Sequence, residues 1–241
     1  MIPEMETVGW SQCSGNLTLP KNEVHIWRAW LDADAQGLSR LREFLSKDEI
    51  SRANRFIFPR DRNHFIVARG RLRELLGMYL RRDPQSSRFL VGKFGKPALM
   101  DENDLRFNLT HSHGLAVYGF AMNRELGIDV EKIRPDFGGE EIAERYFSET
   151  EQQELRELPV EVRATAFFLC WTRKEAYIKA RGDGLQIPLA SFDVSLSPGK
   201  PETLRSSDSQ RWSLLSFTPT PGYAAAIITE GHAPTVRYWA S

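Results

Sequence analysis

Two β-branched residues alternate with two carboxylates in the segment Gly127–Glu131. In an extended strand, successive side chains point to opposite faces. Ile128 and Val130 are therefore predicted to face a core, while Asp129 and Glu131 share the other face. Two carboxylates on one face repel each other unless a positive charge neutralises them, and Mg²⁺ is a hard cation that takes oxygen ligands. The alternation is compatible with a solvated strand end or with a cation site. Evidence from other segments of the chain is needed to distinguish the two.

The overall composition limits the classes of protein to which the chain can belong. Of 241 residues, 41% are hydrophobic and 27% are charged, which is usual for a globular chain of one domain or two small ones. The formal net charge is zero, so the whole chain is not a polycation built for nucleic acid. No apolar run reaches about 18 residues, and Met1–Trp10 lacks the pattern of a signal peptide. Cys13 and Cys170 lie in unlike contexts, which favours neither a disulfide nor a metal pair, and we expect a cytoplasmic protein.

Local patterns predict the first elements. Alternating apolar residues predict a strand from Glu23 to Leu31. Ser46 and Ser148, each followed three residues later by Glu, have the pattern of a capping box, and the first of them predicts a helix from Lys47. Asp61 is predicted to cap the next helix, which runs to Leu80 with one apolar face and one arginine-rich face.

Two parts of the chain share an order of elements. A strand, a polar turn and an apolar strand are predicted in Leu105–Met122 and again in Trp212–Thr229. This repeat predicts two similar αβ halves that meet near residue 124. Between Ser51 and Arg106 there are thirteen Lys and Arg against six Asp and Glu, which is either a solvated helix face or a patch for phosphates.

A third long helix is predicted from Val160 to Ala180. Glu175 and Lys179 lie one turn apart on one of its faces. On a surface helix this is an ordinary ion pair worth a few tenths of a kcal/mol. This helix is rich in aromatic residues, however, so a fully solvent-exposed face is less expected on it. Gly182 follows where a left-handed cap would end the helix.

Together these segments resemble a known family. Gly127–Glu131, followed by Trp171–Lys179, is similar to the paired signature of the 4′-phosphopantetheinyl transferases. The further matches are, in chain order, Arg55–Phe58 with Asp61, Gly95–Pro97, Phe107–Ser112 and Gly182–Leu185. Their order and separation resemble those of the larger, monomeric, Sfp-type branch of the family.

The resemblance implies an α+β fold of two pseudo-symmetric αβ halves, residues 1–122 and 123–241, with the active site in the cleft between them. It implies a transferase that moves the 4′-phosphopantetheine arm of coenzyme A to a serine of an apo acyl or peptidyl carrier protein and releases 3′,5′-ADP. Such carriers serve fatty acid, polyketide and nonribosomal peptide synthesis. A monomer that uses Mg²⁺, or Mn²⁺ in its place, is expected.

The acidic residues receive roles from the same resemblance. Asp129, Glu131 and Glu175 are expected to hold the metal against the pyrophosphate of coenzyme A. Glu175 is the first choice for the base that takes the serine proton. Because a metal ligand is a poor base, Glu131 remains the competing candidate.

The resemblance also implies a set of residues that bind coenzyme A. The helix lysine Lys179 would reach the pyrophosphate and act in catalysis. Val91 stands where the family often has an arginine, and Lys93 is expected to replace it. The full predicted set is Arg55, Lys93, Lys96, Thr110, His111, Asp129, Lys174 and Lys179.

Two other classes of function fit the sequence less well than the transferase. A non-catalytic module that binds coenzyme A or a carrier protein would be expected to lack a metal carboxylate or the helix lysine, and both are present. A nucleic-acid-binding protein would use the arginine-rich helix. It would be expected to have a net basic chain and aromatic residues among the basic ones. The neutral net charge argues against that class, so the transferase ranks first.

Overall fold

The computed structural model describes residues 7–13, 17–92, 95–100, 104–182 and 187–241. The first half of the chain carries a long helix and the strands that pack beneath it. Its elements are β1 (Ser11–Gln12), β2 (Glu23–Trp30), α1 (Ala35–Glu43), α2 (Lys47–Ala53), α3 (Pro59–Leu80), β3 (Phe89–Val91), β4 (Pro97–Leu99), β5 (Leu105–Ser112) and β6 (Leu115–Met122).

The second half has a similar make-up, again with one long helix. Its elements are β7 (Leu126–Lys132), α4 (Glu140–Tyr146), α5 (Glu149–Glu157), α6 (Val160–Arg181), β8 (Asp193–Val194), β9 (Leu204–Arg205), β10 (Trp212–Phe217), β11 (Tyr223–Glu230) and β12 (Thr235–Ala240). No helix of the described chain is both long enough and apolar enough to cross a membrane. The predicted α+β class is confirmed.

Most of the predicted helix ends are confirmed. Ser46 and Ser148 open α2 and α5 with capping boxes, because each hydroxyl accepts from the backbone N–H of the glutamate three residues later. Gly182 ends α6 in the left-handed conformation. The predicted cap at Asp61 is wrong. Helix α3 already begins at Pro59, whose missing N–H costs nothing at the first helical position, so Asp61 lies inside the first turn.

Two sheets form the centre of the molecule. The larger sheet has the strand order β1–β12–β2–β6–β5, and the smaller has the order β10–β11–β7. All pairs in the smaller sheet are antiparallel, and Asp129 lies opposite Ala226. Strand β12 was not predicted from the sequence. It leaves the second half and pairs in parallel with β2 in the larger sheet. The division of the chain into residues 1–122 and 123–241 therefore stays a prediction, and the last strand crosses it.

The sheets and long helices stack as four layers, in the order α3, larger sheet, smaller sheet, α6. Leu72 and Leu76 of α3 pack on Tyr118 and neighbouring residues of the larger sheet. The opposite face of that sheet packs against the smaller sheet, and Ile128 and Val130 lie in this inner core. Their predicted orientation is confirmed. The alternate residues of β7 consequently face α6.

Helix α6 touches β7 at Gly127. A Cβ atom on Gly127 would lie 2.1 Å from the carbonyl oxygen of Ala176 and 2.2 Å from the backbone nitrogen of Ala180, closer than atoms can approach. Only glycine permits this contact. Because side chains alternate along a strand, Gly127 shares its face with Asp129 and Glu131. The close contact thus brings the segment of α6 around Glu175 and Lys179 to the two carboxylates.

Substituting Gly127 tests whether this contact limits the fold. Gly127→Ala should lower the free energy of unfolding by about 1–3 kcal/mol or more, because the helix must move away from the strand. Gly9→Ala is the matched control, since no atom lies within 4 Å of the added carbon there. Urea unfolding of the two variants measures the difference. Equal stabilities would show that α6 and β7 can separate without cost.

Candidate active site

The site lies along the seam where β5 and β7, edge strands of different sheets, run side by side. Polar side chains of β5 bond to β7 across this seam. Asn108 Oδ1 accepts from the backbone N–H of Ile128 at 2.9 Å, and Thr110 Oγ1 donates to Asp129 Oδ1 at 2.9 Å. The two strands are therefore held in a fixed register by side chains from one face of β5.

Asp129 is almost fully buried, with 3% of its surface exposed. Its Oδ1 accepts from Thr110 and also from Lys179 Nζ at 2.5 Å. Its Oδ2 is buried and has no hydrogen-bond partner among the described residues. A buried carboxylate oxygen without a partner carries a desolvation penalty, which a bound cation would offset.

Glu131 lies two residues further along the same face and is half-buried. Its Oε2 accepts from Ser112 Oγ at 2.6 Å. Burial raises the pKa of the Glu131 carboxyl, the hydrogen bond from Ser112 opposes that rise, and the charge of Asp129 adds to it. The hydrogen bond from Ser112 therefore orients the Glu131 carboxylate, while burial and the charge of Asp129 disfavour its ionised form.

Glu175 approaches the same place from α6 and is also half-buried. Burial raises the pKa of its carboxyl, Lys179 lowers it, and the charges of Asp129 and Glu131 raise it again. Three carboxylates thus influence one another, with Lys179 as the cation that acts on all three. The excess of negative charge suits a divalent cation with oxygen ligands.

The three carboxylates are not spaced as a complete set of metal ligands. Within the described parts of the chain, no three His, Cys, Asp or Glu side chains are grouped closely enough to hold an ion. Lys179 Nζ lies on Asp129 Oδ1, where it supplies positive charge. The assignment of Asp129, Glu131 and Glu175 as metal ligands stays a prediction. The observation that favours it is the Oδ2 of Asp129, which has no partner in the described part of the chain.

Thr110 and His111 lie at the end of β5 next to these groups. Thr110 is buried and donates its hydroxyl hydrogen to Asp129, so in this state the hydroxyl orients the carboxylate. His111 is exposed at its surface. Partial burial of the ring lowers the pKa of His111, and the nearby positive charge of Lys179 lowers it further. The imidazole is therefore biased towards its neutral form.

Lys96, which is predicted to bind the nucleotide end of coenzyme A, lies near the start of β7. Lys96 Nζ donates to Glu125 Oε2 at 3.1 Å and to the carbonyl oxygen of Leu126 at 3.0 Å, so it links the two halves. It lines a cavity of about 400 Å³ beside Arg106 and Gly182. Arg55 lies on the exposed turn between α2 and α3. Lys93 and residues 183–185 lie outside the described residues.

Lys174 requires a correction. Its side chain is fully buried, and Nζ lies 2.7 Å from Glu151 Oε2 and donates to the carbonyl oxygens of Leu189 at 2.8 Å and Phe192 at 2.7 Å. These three acceptors use all three ammonium hydrogens. Lys174 therefore joins α5 and α6 and is not available to a phosphate of coenzyme A.

Sequence reasoning assigned no role to Asn108 or Ser112, although both were part of the motif Phe107–Ser112. The alternation of Asn108, Thr110 and Ser112 along a strand was the available signal. Alternate polar residues share one face, and a buried polar face needs partners. The sequence did not show that the partners would come from β7.

The chain is similar in sequence to known proteins of one family. The family model described as the 4′-phosphopantetheinyl transferase superfamily matches residues 125–228. The chain is 41% identical to the 4′-phosphopantetheinyl transferase HetI of Nostoc sp., covering 95% of this chain and 97% of HetI. It is 30% identical to the 4′-phosphopantetheinyl transferase Sfp of Bacillus subtilis, covering 78% of this chain and 83% of Sfp. A holo-(acyl-carrier-protein) synthase from Bacillus anthracis, solved in complex with CoA, matches with 21% identity and a TM-score of 0.36 over 44% of this chain and 94% of that one.

Lys174→Met tests whether Lys174 stabilises the fold through Glu151 and does not bind coenzyme A. Removing one member of a buried ion pair leaves the other unpaired, so the variant should lose about 3–5 kcal/mol of unfolding free energy. Adding Glu151→Gln should recover part of that loss, because it removes the stranded charge. Lys200→Met, at an exposed pair with Glu154, should have little effect. Chemical denaturation measures all four proteins. Unchanged stability together with weaker coenzyme A binding would return Lys174 to the binding site.

Glu175→Gln tests the electrostatic cost of the site. Folding raises the pKa of the Glu175 carboxyl above its value of 4.5 in the unfolded chain. The free energy of unfolding therefore falls as the pH rises above 4.5, because the ionised carboxylate is disfavoured in the folded state. The glutamine variant has no such loss. Its melting temperature should exceed that of the wild type at neutral pH, and the difference should shrink as the pH falls towards 4.5. A lower melting temperature at neutral pH would contradict the raised pKa.

Proposed function

This chain belongs to the 4′-phosphopantetheinyl transferase superfamily, and from that premise we propose that it transfers the 4′-phosphopantetheine arm of coenzyme A to a serine of an apo acyl or peptidyl carrier protein. The observation that carries this proposal is the buried Asp129. One of its oxygens is paired to Lys179, the other has no partner among the described residues, and the charges of Glu131 and Glu175 act in the same region. That arrangement suits a pyrophosphate and a divalent cation bound together.

The proposed reaction is a displacement at the β-phosphorus of coenzyme A. The carrier serine oxygen forms a bond to that phosphorus, and the bond from it to the oxygen of the leaving 3′,5′-ADP breaks. The serine proton passes to a base of the protein. Little covalent chemistry falls to the enzyme, so positioning and charge neutralisation supply most of the rate.

We propose Glu175 as that base, directly or through a water molecule. Burial raises the pKa of its carboxyl, which makes the carboxylate a stronger proton acceptor. Asp129 and Glu131 are proposed as the carboxylates that hold the metal, with Glu175 free to complete the set when it is not acting as base. When bound, Mg²⁺ or Mn²⁺ would neutralise charge on the pyrophosphate.

Lys179 is proposed to move from Asp129 to a pyrophosphate oxygen when coenzyme A binds. Its side chain is only partly buried, whereas the Asp129 side chain is almost fully buried, so the lysine is the mobile partner. His111, whose lowered pKa favours the neutral form, is proposed to donate a hydrogen bond to a phosphate. Lys96 and Arg55 are proposed for the nucleotide end, and Lys93 for the place of the missing arginine.

The carrier protein is proposed as the partner on the basis of charge. Arg60, Lys132 and Arg134 act together on His113 beside the cleft, so this rim carries positive charge. Carrier proteins of this kind are usually acidic helical bundles, which such a rim would attract. We also propose that the protein acts as a monomer.

The function is tested by incubating the protein with coenzyme A, Mg²⁺ and a purified apo acyl carrier protein, and separately with an apo peptidyl carrier protein. The carrier should gain the mass of the phosphopantetheine arm, and the gain should disappear with EDTA. Calorimetry with coenzyme A alone provides the second readout. Binding of coenzyme A without transfer to either carrier would favour a non-catalytic binding module.

Two variants test the proposed charges in the same assay. Asp129→Asn and Lys179→Ala should each lower the turnover number by about a hundredfold or more, because each removes charge aimed at the reacting phosphates. Lys200→Ala, on the surface, is the control for Lys179→Ala and should retain normal turnover. Melting temperatures identify any variant that has unfolded. Normal turnover by a folded Asp129→Asn protein would remove Asp129 from the proposed metal site.

A further inference from the structure

A chain of hydrogen bonds runs from Glu131 to the turn between β5 and β6. Ser112 Oγ donates to Glu131 Oε2 at 2.6 Å, and His113 Nδ1 lies 3.0 Å from the same Ser112 Oγ. The backbone N–H of Lys132, the residue after Glu131, also donates to Ser112 Oγ, at 3.3 Å. One buried hydroxyl thus connects the carboxylate, its strand and a histidine.

The valences of the hydroxyl determine which atom donates in each bond. Ser112 has one hydrogen, which goes to Glu131, and two lone pairs. One lone pair accepts from Lys132, so the other accepts from His113, and Nδ1 of that imidazole carries a hydrogen. Nδ1 carries this hydrogen whether the ring is neutral or protonated. The chain of bonds therefore persists when His113 gains or loses a proton at Nε2.

The backbone of His113 is held in an uncommon conformation. Its φ angle is 46°, in the left-handed region that glycine adopts most readily. Its carbonyl oxygen accepts from the hydroxyl of Tyr223 at 2.9 Å, and Tyr223 lies opposite Lys132 in the smaller sheet. Neither the strain nor the Tyr223 bond requires a histidine side chain at this position. Among the described residues, the side-chain hydrogen bond that the imidazole of His113 makes is the one with Ser112.

We propose that Ser112 and His113 are positioning residues that hold the Glu131 carboxylate towards the cleft it shares with Asp129 and Glu175. This role rests on the proposed function, because it gives Glu131 the fixed geometry that a metal ligand needs. Glu131 without this support would be free to rotate away from Asp129, whose charge opposes its own. The pair thus offsets the repulsion between two carboxylates on one strand face.

The first test is the affinity for Mg²⁺ of the protein saturated with coenzyme A, measured by calorimetry without any carrier protein. Ser112→Ala should weaken this affinity by about 10- to 100-fold, the range found when a residue supporting a metal ligand is removed. Ser112→Thr keeps the hydroxyl and should restore most of the affinity. Ser213→Ala is the matched control, since it removes a serine hydrogen bond on the outer strand β10.

The second test separates positioning from simple stability. His113→Gly removes the donor to Ser112 and relieves the left-handed backbone, so its melting temperature should be equal to or above that of the wild type. Its affinity for Mg²⁺ should nevertheless fall by about tenfold. Asn123→Gly, at the other described turn next to β6 and with a φ of 50°, is the control and should leave the affinity unchanged. A purely structural role for His113 predicts that the more stable variant binds Mg²⁺ normally.

These outcomes can be told apart from failure of the proposed function. Wild-type transfer combined with unchanged Mg²⁺ affinity in folded Ser112→Ala and His113→Gly would overturn the positioning role and leave the transferase standing. Absence of transfer by the wild type would overturn the transferase itself. Absence of Mg²⁺ binding to the wild-type coenzyme A complex would overturn the positioning role as stated.

Discussion

Helix α6 lies so close to β7 at Gly127 that a single added methyl group would stand 2.1 Å from a backbone oxygen of the helix. This contact sets where the side chains on either side of it can go. On the strand, Asp129 and Glu131 follow Gly127 on the same face. On the helix, Glu175 and Lys179 directly precede Ala176 and Ala180, whose backbone atoms such a methyl group would meet. The four charged groups lie in one region because the two backbones can approach each other, and Lys179 reaches Asp129 there.

The site is costly in stability, and the surrounding structure offsets part of that cost. Burial and mutual repulsion raise the pKa values of Glu131 and Glu175, so their charged forms weaken the folded state. Thr110 and Ser112 of β5 each donate to one of the strand carboxylates. One oxygen of Asp129 has no partner among the described residues. Such an arrangement is expected where a cation and a polyanionic substrate are to be bound, because they supply the missing interactions.

Two lysines five residues apart on α6 show how burial decides a role. Lys174 is fully enclosed with Glu151 and two carbonyl oxygens, and it joins the elements of the second half. Lys179 remains partly accessible beside Asp129. Neither half of the chain completes the site alone, since β5 belongs to the larger sheet and β7 to the smaller. The cleft is a property of how the sheets pack.

The sequence by itself determined the features that depend on near neighbours along the chain. The capping boxes at Ser46 and Ser148, the left-handed end at Gly182 and the alternation in β7 were all predicted, because each depends on contacts within a few residues. The motifs also identified the family, and they predict the roles of the acidic residues. Only the tertiary structure decided that β12 pairs with β2, that Lys174 is enclosed by Glu151, and that Ser112 supports Glu131. Those partners are distant in the chain, and local periodicity carries no information about which distant side chains meet when two sheets and two helices pack together.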